Sequence, residues 1–523
     1  LIFMKTFTLL FIIYMLSAYG SYAVAFDNIV GKVTCGQKPV SNVLVSDGVE
    51  VVKTNAEGYF HFNSKKEDGY VFISVPGNYE VDHTGIIPNH FARLKKGYNE
   101  VDTVNFHLTK RENKDCEIFM FTDIHLTNDR VDNDLPQFGK TFYPDIVSQI
   151  KARANKPVYA ICLGDMTTDV KWHINHYALP EYLETMKDFP IPVYHTMGNH
   201  DNERKVIDNI SDWDFYGESA YKNVVGPNYY SFNIGAWHVM ILDNIITGGP
   251  VEKNEKLNYQ FTYRIDDRQM EWIKKDLSFI SKNTPIMVGI HVPPLKYTDM
   301  KNGVLETDYD FENAKDFLAC YADFNQVQVF AGHTHKSSNY VYGENITLHN
   351  LPSASAVSWK INGKTSRLIS EDGTPAGYWI INVNGDNLQW QFKAAERNLE
   401  KSQFFVYDLN CVPEQFGGSK NSNEILINIY NWDPEWKVDV TEDGRSLDVS
   451  HCWTRDPLYR LIRSDKGVLP GRPTAFLANY NSHMFKVKAA NARSPIRIRI
   501  TDRFGNVYET MMKRPKKFSW DME

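Results

Sequence analysis

Five short polar segments, each at the end of an apolar run, constrain this chain more than any other feature. The apolar runs are typical of buried strands, so the polar residues that follow them can converge at one edge of a sheet. The segments are Asp123-Ile124-His125, Gly164-Asp165, Gly198-Asn199-His200-Asp201, Gly289-Ile290-His291 and Gly332-His333-Thr334-His335. Their carboxylate, amide and imidazole groups are those that a two-metal hydrolytic site needs.

The chemistry of phosphoryl displacement explains this set of residue types. Two divalent cations about 3.5 to 4 Å apart can hold both the attacking and the leaving oxygen, and such a pair needs a carboxylate that binds both ions. We assign this bridge to Asp165. One ion would take Asp123, His125 and His335, and the other would take Asn199, His291 and His333. The imidazoles would bind as neutral nitrogens, and open coordination positions predict a shared solvent molecule that ionises near neutral pH and acts as the nucleophile.

In this order, the five segments resemble the calcineurin-like metallophosphoesterases. The family pattern is D-x-H, G-D-x-x-x-D, G-N-H-[DE], G-H and G-H-x-H, and the stretch from Gly164 to Asp169 fits its second element. The fourth element differs in having Ile290 between Gly289 and His291. The resemblance implies an α/β fold in which two packed sheets form an α/β/β/α sandwich with the metals at one edge. It also implies the ligand assignment given above.

The resemblance gives His200 a role that differs from that of the neighbouring ligand Asn199. In the family this histidine faces the substrate, stabilises charge on the phosphate and is proposed to protonate the leaving group, which is reasonable chemistry for an imidazolium. Asp201 would orient His200 or the backbone without binding metal. Asp169 would likewise act through hydrogen bonds outside the ligand set.

The residue types only partly determine the metal. In the purple acid phosphatases a tyrosine three residues after the bridging aspartate binds iron, and here that position is Thr168. A tyrosinate-bound iron is therefore not expected. Carboxylates, imidazoles and one amide suit manganese, iron, zinc, nickel or cobalt about equally well.

Four other histidines are assigned structural positions. His195 and His238 lie inside apolar strand segments, where strand alternation accounts for them. His173 and His176 follow the second motif closely, but we expect them on a helix surface.

The first 25 residues predict export. Lys5 precedes an apolar stretch at residues 7–16, and small residues end at Ala23-Val24-Ala25, as in a secretory signal peptide. Met4 is the expected start, with residues 1–3 as an upstream extension, and the mature chain is expected to begin at Phe26. The apolar stretch is too short for a membrane span, so we expect no transmembrane segment in the mature chain. The expected location is periplasmic or extracellular.

The length of 523 residues and the 42% hydrophobic content predict several packed cores. Residues 26–112 predict a small antiparallel β-sandwich, which resembles transthyretin-like modules. Residues 113–396 alternate strands and helices and form the predicted catalytic domain. Residues 397–523 lack helical periodicity and resemble the all-β module that follows the catalytic domain in a bacterial exported subgroup of this family.

Three further features of the sequence concern one helix, the cysteines and the net charge. Asp266 predicts the start of a helix, because Met270, Ile273 and Leu277 recur at helical spacing after it. The six cysteines are scattered singly and predict neither a zinc knuckle nor a redox pair. The formal net charge of −7 argues against a nucleic-acid partner.

The sequence therefore predicts an exported dimetal phosphoesterase that acts on a small-molecule phosphate ester, either a diester or a monoester. Loops at residues 293–300 and 355–361 would select the substrate, and Tyr297 and Trp359 would either stack on a base or sugar or brace the fold. The alternative is a noncatalytic surface protein that binds a glycan or a protein partner through its β modules. An intact set of ligands argues against this alternative.

Overall fold

The structure is a computed structural model that describes residues 27–153, 155–205, 210–253, 256–359, 368–464, 478–520 and 522, without the side chains of 250–259 and 463–464. The predicted leader at residues 1–25 and the expected mature start at Phe26 lie outside the described residues. Among the helices of the described part, none is both long and apolar enough to cross a membrane.

The N-terminal module consists of short strands in two larger sheets and one separate two-stranded sheet, which pairs its eighth and ninth strands. The strands are β1 (Ile29–Cys35), β2 (Lys38–Pro39), β3 (Leu44–Ser46), β4 (Val51–Lys53), β5 (Tyr59–Phe62), β6 (Tyr70–Ser74), β7 (Tyr79–Glu80), β8 (His83–Thr84), β9 (Ile87–Pro88), β10 (Phe91–Arg93) and β11 (Asp102–Lys110). One sheet has the order β2-β1-β11-β7, with β5 also paired to β1, and the other has the order β10-β6-β3-β4. The prediction of a purely antiparallel sandwich is wrong at one point, because β1 and β11 pair in parallel.

The central domain contains two larger sheets and two hairpins. Its strands are β12 (Asp115–Phe121), β13 (Val158–Cys162), β14 (Val193–His195), β15 (Tyr230–Ile234), β16 (Trp237–Ile241), β17 (Ile245–Lys253), β18 (Lys256–Tyr263), β19 (Ile286–Gly289), β20 (Leu295–Lys301), β21 (Val304–Tyr309), β22 (Val327–Ala331), β23 (Ser338–Tyr342), β24 (Ile346–Asn350), β25 (Gly377–Asn384) and β26 (Asn387–Ala394). The sheets have the orders β14-β13-β12-β25-β26 and β15-β16-β19-β22-β24-β23. Strands β12, β13 and β14 are parallel in the first sheet, and β16, β19, β22 and β24 are parallel in the second.

Helices cover the outer faces of these two sheets. They span Asp134–Lys140, Phe142–Lys151, Trp172–Asn175, Leu179–Thr185, Trp213–Val224, Asp267–Ser278 and Ala314–Ala319. The predicted helix start at Asp266 is confirmed, because the Asp266 carboxylate caps the helix by accepting a hydrogen bond from the Gln269 amide.

Side-chain alternation along β12 shows how the layers pack. Phe119 and Phe121 point into a core shared with the helices at 134–140 and 142–151. Ile118 and Met120 point the other way, into the core that includes the second sheet. Because successive side chains of a strand face opposite sides, one strand joins the helix layer to the second sheet. The predicted α/β/β/α sandwich is confirmed.

The C-terminal module is a sandwich of two four-stranded sheets, with the orders β27-β28-β32-β31 and β30-β29-β33-β34. Its strands are β27 (Phe404–Asp408), β28 (Glu424–Ile429), β29 (Lys437–Glu442), β30 (Arg445–Ser446), β31 (Val449–Arg455), β32 (Tyr480–Lys488), β33 (Ile496–Thr501) and β34 (Val507–Met512). The predicted all-β architecture is confirmed, but the module also contains one helix that was not predicted, Pro457–Ser464. Pro457 at its first position and Asp456 before it are ordinary helix-start signals.

His90 lies where the N-terminal module meets the central domain. Its ring packs 4.4 Å from that of Tyr230 and 5.8 Å from that of Tyr194, between ring centroids. Burial lowers the pKa of His90 to about 4, although a hydrogen bond to the Pro88 carbonyl acts in the opposite direction. The imidazole is therefore held neutral at the junction between the two units.

Replacing His90 with Phe should reduce the loss of stability in acid. The pKa of folded His90 is below the unfolded value of about 6.5, so the group costs no stability above that pH. As the pH falls from 6.5 towards 4, the unfolded chain binds a proton that the folded chain does not bind, and the free energy of unfolding decreases. At pH 5 this single group should cost about 2 kcal/mol. Thermal unfolding at pH 8 and pH 5 should show a smaller drop in Tm for His90→Phe than for wild type. His83→Phe, at an exposed site, is the control, and equal drops in all three proteins would contradict the assignment.

Candidate metal centre

The five motifs lie directly after the carboxyl ends of five parallel strands. Asp123, Asp165 and Asn199 follow β12, β13 and β14, while His291 follows β19 and the pair His333 and His335 follows β22. Because the two sheets are packed together, these strand ends meet at one edge of the sandwich. The structure brings together all seven predicted metal ligands there: Asp123, His125, Asp165, Asn199, His291, His333 and His335.

One half of the cluster contains Asp123, His125 and His335. The Nε2 atoms of His125 and His335 are 2.9 Å apart, and His335 Nε2 is 3.2 Å from Asp123 Oδ1. His335 Nδ1 donates to the carbonyl of Ala356 at 2.7 Å, and His125 Nδ1 lies 3.2 Å from the hydroxyl of Thr168. Since these contacts engage Nδ1, both rings present Nε2 to the same point.

The other half contains Asn199, His291 and His333. Asn199 Oδ1 is 2.8 Å from His333 Nδ1 and 3.2 Å from His291 Nε2. His291 Nδ1 donates to the carbonyl of Leu163 at 2.7 Å, which fixes the ring and leaves Nε2 facing the cluster. This group therefore offers two nitrogens and one amide oxygen.

Asp165 lies between the two halves. Its Oδ2 atom is 3.6 Å from His125 Nε2 and 3.3 Å from His291 Nε2, so one oxygen faces both groups. Its Oδ1 atom accepts a hydrogen bond from the His200 backbone amide at 2.7 Å. This is the position that a bridging carboxylate requires.

The electrostatics of the cluster suit cations. Burial alone would raise the pKa of Asp123 and of Asp165, but the surrounding histidines outweigh it and hold both below the usual range. Burial lowers the pKa of His125 to about 4 and that of His333 to about 3, so these rings are neutral and can donate lone pairs. For His291, burial is outweighed by Asp165, and its pKa rises to about 9.

The buried carboxylate of Asp123 is the test of whether these residues fit a metal. Asp123 is fully buried, and its Oδ1 atom lies 3.2 Å from His335 Nε2 and 3.7 Å from His125 Nε2, without a well-directed hydrogen bond among the described residues. A buried carboxylate oxygen placed in this way is costly unless a cation meets it. With three neighbouring imidazoles, the donor set is one that divalent transition metals prefer.

The backbone at the site is strained in a regular way. Five ligands have positive φ angles between 49° and 66°, namely Asp123, His125, Asp165, His333 and His335. Such angles are uncommon for residues other than glycine and cluster at functional sites. They turn the chain sharply at the strand ends. Asp123 and His125, which are two positions apart, can therefore face the same half of the cluster.

The motif glycines are needed because the loops approach one another closely. A Cβ atom on Gly198 would lie 2.2 Å from the Asp165 amide nitrogen, and one on Gly332 would lie 2.0 Å from Thr122 Oγ1. Both distances are too short for any real contact. Glycine at these positions therefore allows the ligand loops to pack.

His200 is held beside the metal cluster by Asp169, a residue outside the predicted ligand set. Its Nδ1 atom lies 2.6 Å from Asp169 Oδ1, and Asp169 also forms an ion pair with Arg204. The side chain is about 30% exposed, and one of its ring nitrogens lies near His125 and Asp165. The ring is therefore partly accessible to a substrate beside the cluster.

Asp201 orients the backbone and makes no contact with the His200 ring among the described atoms. Its carboxylate accepts hydrogen bonds from the amides of Met166, Thr167 and Gly198 at 3.0 to 3.2 Å. Of the two alternatives for Asp201, the structure favours the backbone, and Asp169 orients His200. Burial, reinforced by the charge of Asp165, raises the pKa of Asp201 to about 7.

The histidines assigned structural positions lie away from the ligands. His238 is buried against Asp276 at 2.7 Å, and His195 is 3.1 Å from the hydroxyl of Tyr182. His173 lies on the helix Trp172–Asn175 and pairs with Glu203 at 2.8 Å, while His176 is the residue that ends this helix.

Trp359 and Tyr297 differ in their positions. Trp359 is completely buried and donates to the Ile124 carbonyl at 2.6 Å, so it braces the first motif and cannot stack on a ligand. The predicted loop at 355–361 is described only to this residue. Tyr297 stacks on Tyr340 with ring centroids 4.2 Å apart.

Two residues near the cluster, Tyr263 and Arg204, were not predicted from the sequence. Tyr263 has its ring centroid 5.0 Å from that of His333, and Arg204 reaches Asp169 while its guanidinium lies over Phe261. Neither follows a motif at a recognisable spacing. Only their positions in the fold reveal them.

Three family profiles match this chain. Residues 117–337 match "Calcineurin-like phosphoesterase", residues 27–111 match "N terminal of Calcineurin-like phosphoesterase", and residues 349–508 match "C terminal of Calcineurin-like phosphoesterase". The last of these begins before the strands β25 and β26, which belong to the first central sheet.

One relative and two solved structures are also similar. The "Probable glycerophosphodiester phosphodiesterase GpdQ" of Arcobacter nitrofigilis is 26% identical over 195 residues, which cover 37% of this chain and 62% of that protein. A dimetal phosphatase from Danio rerio is 12% identical, with a TM-score of 0.36, covering 54% of this chain and 97% of that one. A purple acid phosphatase from yellow lupin is 13% identical, with a TM-score of 0.35, covering 68% of this chain and 67% of that one.

Substituting Gly332 with Ala should weaken metal binding and stability together. The new methyl group would displace Thr122, whose hydroxyl donates to Asp123 Oδ2 at 2.8 Å, and overpacking of this kind costs about 1–3 kcal/mol. Elemental analysis after manganese loading should show less metal per chain, and the Tm should fall. Gly139→Ala, in a helix with open space around it, is the matched control and should leave metal content unchanged. Normal metal content and Tm in Gly332→Ala would contradict the packing argument.

Proposed function

Because this chain belongs to the calcineurin-like phosphoesterase family, we propose that it is an exported dimetal phosphoesterase that hydrolyses a phosphate diester or monoester. The observation that carries the proposal is the position of Asp165, whose Oδ2 atom faces His125 on one side and His291 on the other. A carboxylate shared in this way suits two cations better than one. The leader-like N-terminus supports export.

The two halves of the cluster would hold one cation each. Asp123, His125 and His335 would bind the first, while Asn199, His291 and His333 would bind the second, with Asp165 common to both. When bound, the two cations would neutralise charge on the phosphate and make a water molecule more acidic. Manganese, iron, zinc, nickel and cobalt all remain candidates for this donor set.

His200 is the residue proposed to complete the reaction. Water adds to phosphorus, the ester P–O bond breaks, and the oxygen that leaves needs a proton. His200 can supply it, because Asp169 holds its Nδ1 atom and the partly exposed ring lies beside the metal ligands His125 and Asp165. Arg204 holds Asp169 in turn, so the imidazole is oriented through a chain of charged contacts.

The choice between diester and monoester is left open by the ligand set. The relative from Arcobacter nitrofigilis has a name that indicates action on a glycerophosphodiester, and this supports including diesters. This chain covers 62% of the length of that relative. Both ester classes therefore belong in the first assay.

Asp165→Asn should abolish hydrolysis, since the amide removes the shared charge. With bis(p-nitrophenyl) phosphate and p-nitrophenyl phosphate, we expect turnover to fall about a thousandfold or more, and elemental analysis should show fewer cations per chain. Asp386→Asn, at an exposed hairpin turn, is the control and should keep both properties. If metal-loaded wild type cleaves neither of these esters nor a panel of natural phosphate esters, the noncatalytic binding protein becomes the better interpretation.

His200→Ala should slow hydrolysis while leaving metal content unchanged. Loss of a general acid costs about 100- to 10,000-fold, and the loss should be largest for alkyl esters such as glycerol phosphates, because p-nitrophenolate leaves without needing a proton. Comparing kcat for the two ester types gives the test. A variant that loses its cations, or that slows both ester types equally, would contradict the proposed role.

A further inference from the structure

A cleft lies between the β20–β21 hairpin and the C-terminal module, and we call it the seam cleft. Its outer compartment has a volume of about 640 Å³ and its inner compartment about 50 Å³. Leu295, Tyr297 and Tyr340 line both compartments. The stacked Tyr297 and Tyr340 rings therefore lie where the two compartments meet.

The inner compartment reaches the loop that carries two metal ligands. Thr334 and Lys336, the residues on either side of His335, are part of its wall. The Lys336 side chain supplies positive charge there, near enough to influence the carboxyl of Glu371. The inner compartment and the metal centre therefore share one loop.

The C-terminal module contributes aromatic surface on the opposite side. Trp453 and Tyr480 line the inner compartment from neighbouring strands, with ring planes 11° apart and centroids separated by 6.3 Å. Tyr480 is 48% exposed, and the guanidinium of Arg455 lies 4.6 Å from its ring centroid. The exposed part of the Tyr480 side chain leaves aromatic surface at the wall of this compartment.

The outer compartment repeats the combination of aromatic faces and hydroxyl groups. The Tyr309 and Tyr342 hydroxyls lie 3.2 Å apart at its wall, and Trp432 lines it from the C-terminal module. Its volume falls in the range of pockets that enclose ligands larger than one ring.

We propose that the seam cleft binds the sugar rings of a phosphorylated oligosaccharide whose phosphoester lies at the metal centre. The inference rests on the proposed function and names its substrate class. Sugar rings present C–H faces that pack on aromatic side chains and hydroxyl groups that can form hydrogen bonds with the Tyr309 and Tyr342 hydroxyls. A chain of rings also accounts for two compartments that share three lining residues, whereas a single nucleobase would fill only one.

The test compares kcat/KM for monosaccharide and trisaccharide phosphates. Glucose, mannose and N-acetylglucosamine series are assayed beside AMP and p-nitrophenyl phosphate, with manganese-loaded full-length protein. At least one trisaccharide phosphate should exceed its own monosaccharide phosphate by about tenfold. Equal values within twofold in all three series, or AMP as the best substrate, would overturn the proposal.

Variants of the aromatic residues that the C-terminal module contributes to the seam cleft test where the trisaccharide phosphate is bound. Trp453→Ala and Tyr480→Ala should each lower the ratio of kcat/KM for the trisaccharide phosphate to that for p-nitrophenyl phosphate by about tenfold. Tyr98→Ala, a 49% exposed tyrosine in the N-terminal module, should leave this ratio unchanged. The Tm of each variant is measured, so that a folding defect in one variant does not decide the result. If the ratio of kcat/KM values is unchanged in both variants, the assignment of the sugar site to the seam cleft is refuted.

Failure of the inference can be told apart from failure of the proposed function. If p-nitrophenyl phosphate is hydrolysed but trisaccharide phosphates are not preferred over monosaccharide phosphates, sugar binding in the seam cleft is overturned and the proposed phosphoesterase function is not. If no ester is hydrolysed, the proposed function fails. Calorimetry with the unphosphorylated trisaccharides then tests whether the seam cleft binds sugar. Binding lost in Trp453→Ala would support it, and no binding by wild type would overturn it.

Discussion

The structure depends on one buried oxygen, Asp165 Oδ2, placed between two groups of metal ligands. Two buried carboxylates within a few ångströms are costly to desolvate, and cations offset that cost. The other residues at this edge of the central sandwich bring the ligands close enough to surround the cations. Left-handed backbone at five ligands and the close packing at Gly198 and Gly332 bring the strand ends together, and Asp201 ties two of the loops through backbone amides.

The C-terminal module is connected to the metal loop by buried polar contacts. Asp372 accepts a hydrogen bond from the Ser337 amide at 2.8 Å, two residues after the ligand His335, and His483 of the module lies 3.1 Å from the same carboxylate oxygen. Asn339, in β23, donates to the Trp432 carbonyl at 2.9 Å. These bonds hold one wall of the seam cleft against the loop, so the module supports both the ligands and the proposed substrate site.

The sequence predicted the parts of the fold that depend on local patterns. Apolar runs followed by polar motifs placed the strands, and Asp266 with its periodic apolar residues placed a helix, because these signals are contained in a few neighbouring residues. The parallel pairing of β1 with β11 joins residues more than seventy positions apart, and no local pattern specifies it. The same holds for Arg204 and Tyr263, which reach the site only through the tertiary fold, and for Trp453 and Tyr480 in the seam cleft.

The most direct test of the account is anomalous diffraction from crystals of the manganese-loaded protein. Two peaks should appear, one beside His125 and His335 and the other beside His291 and His333, with Asp165 Oδ2 within coordination distance of both. A single peak, or two peaks that do not share Asp165, would contradict the central claim.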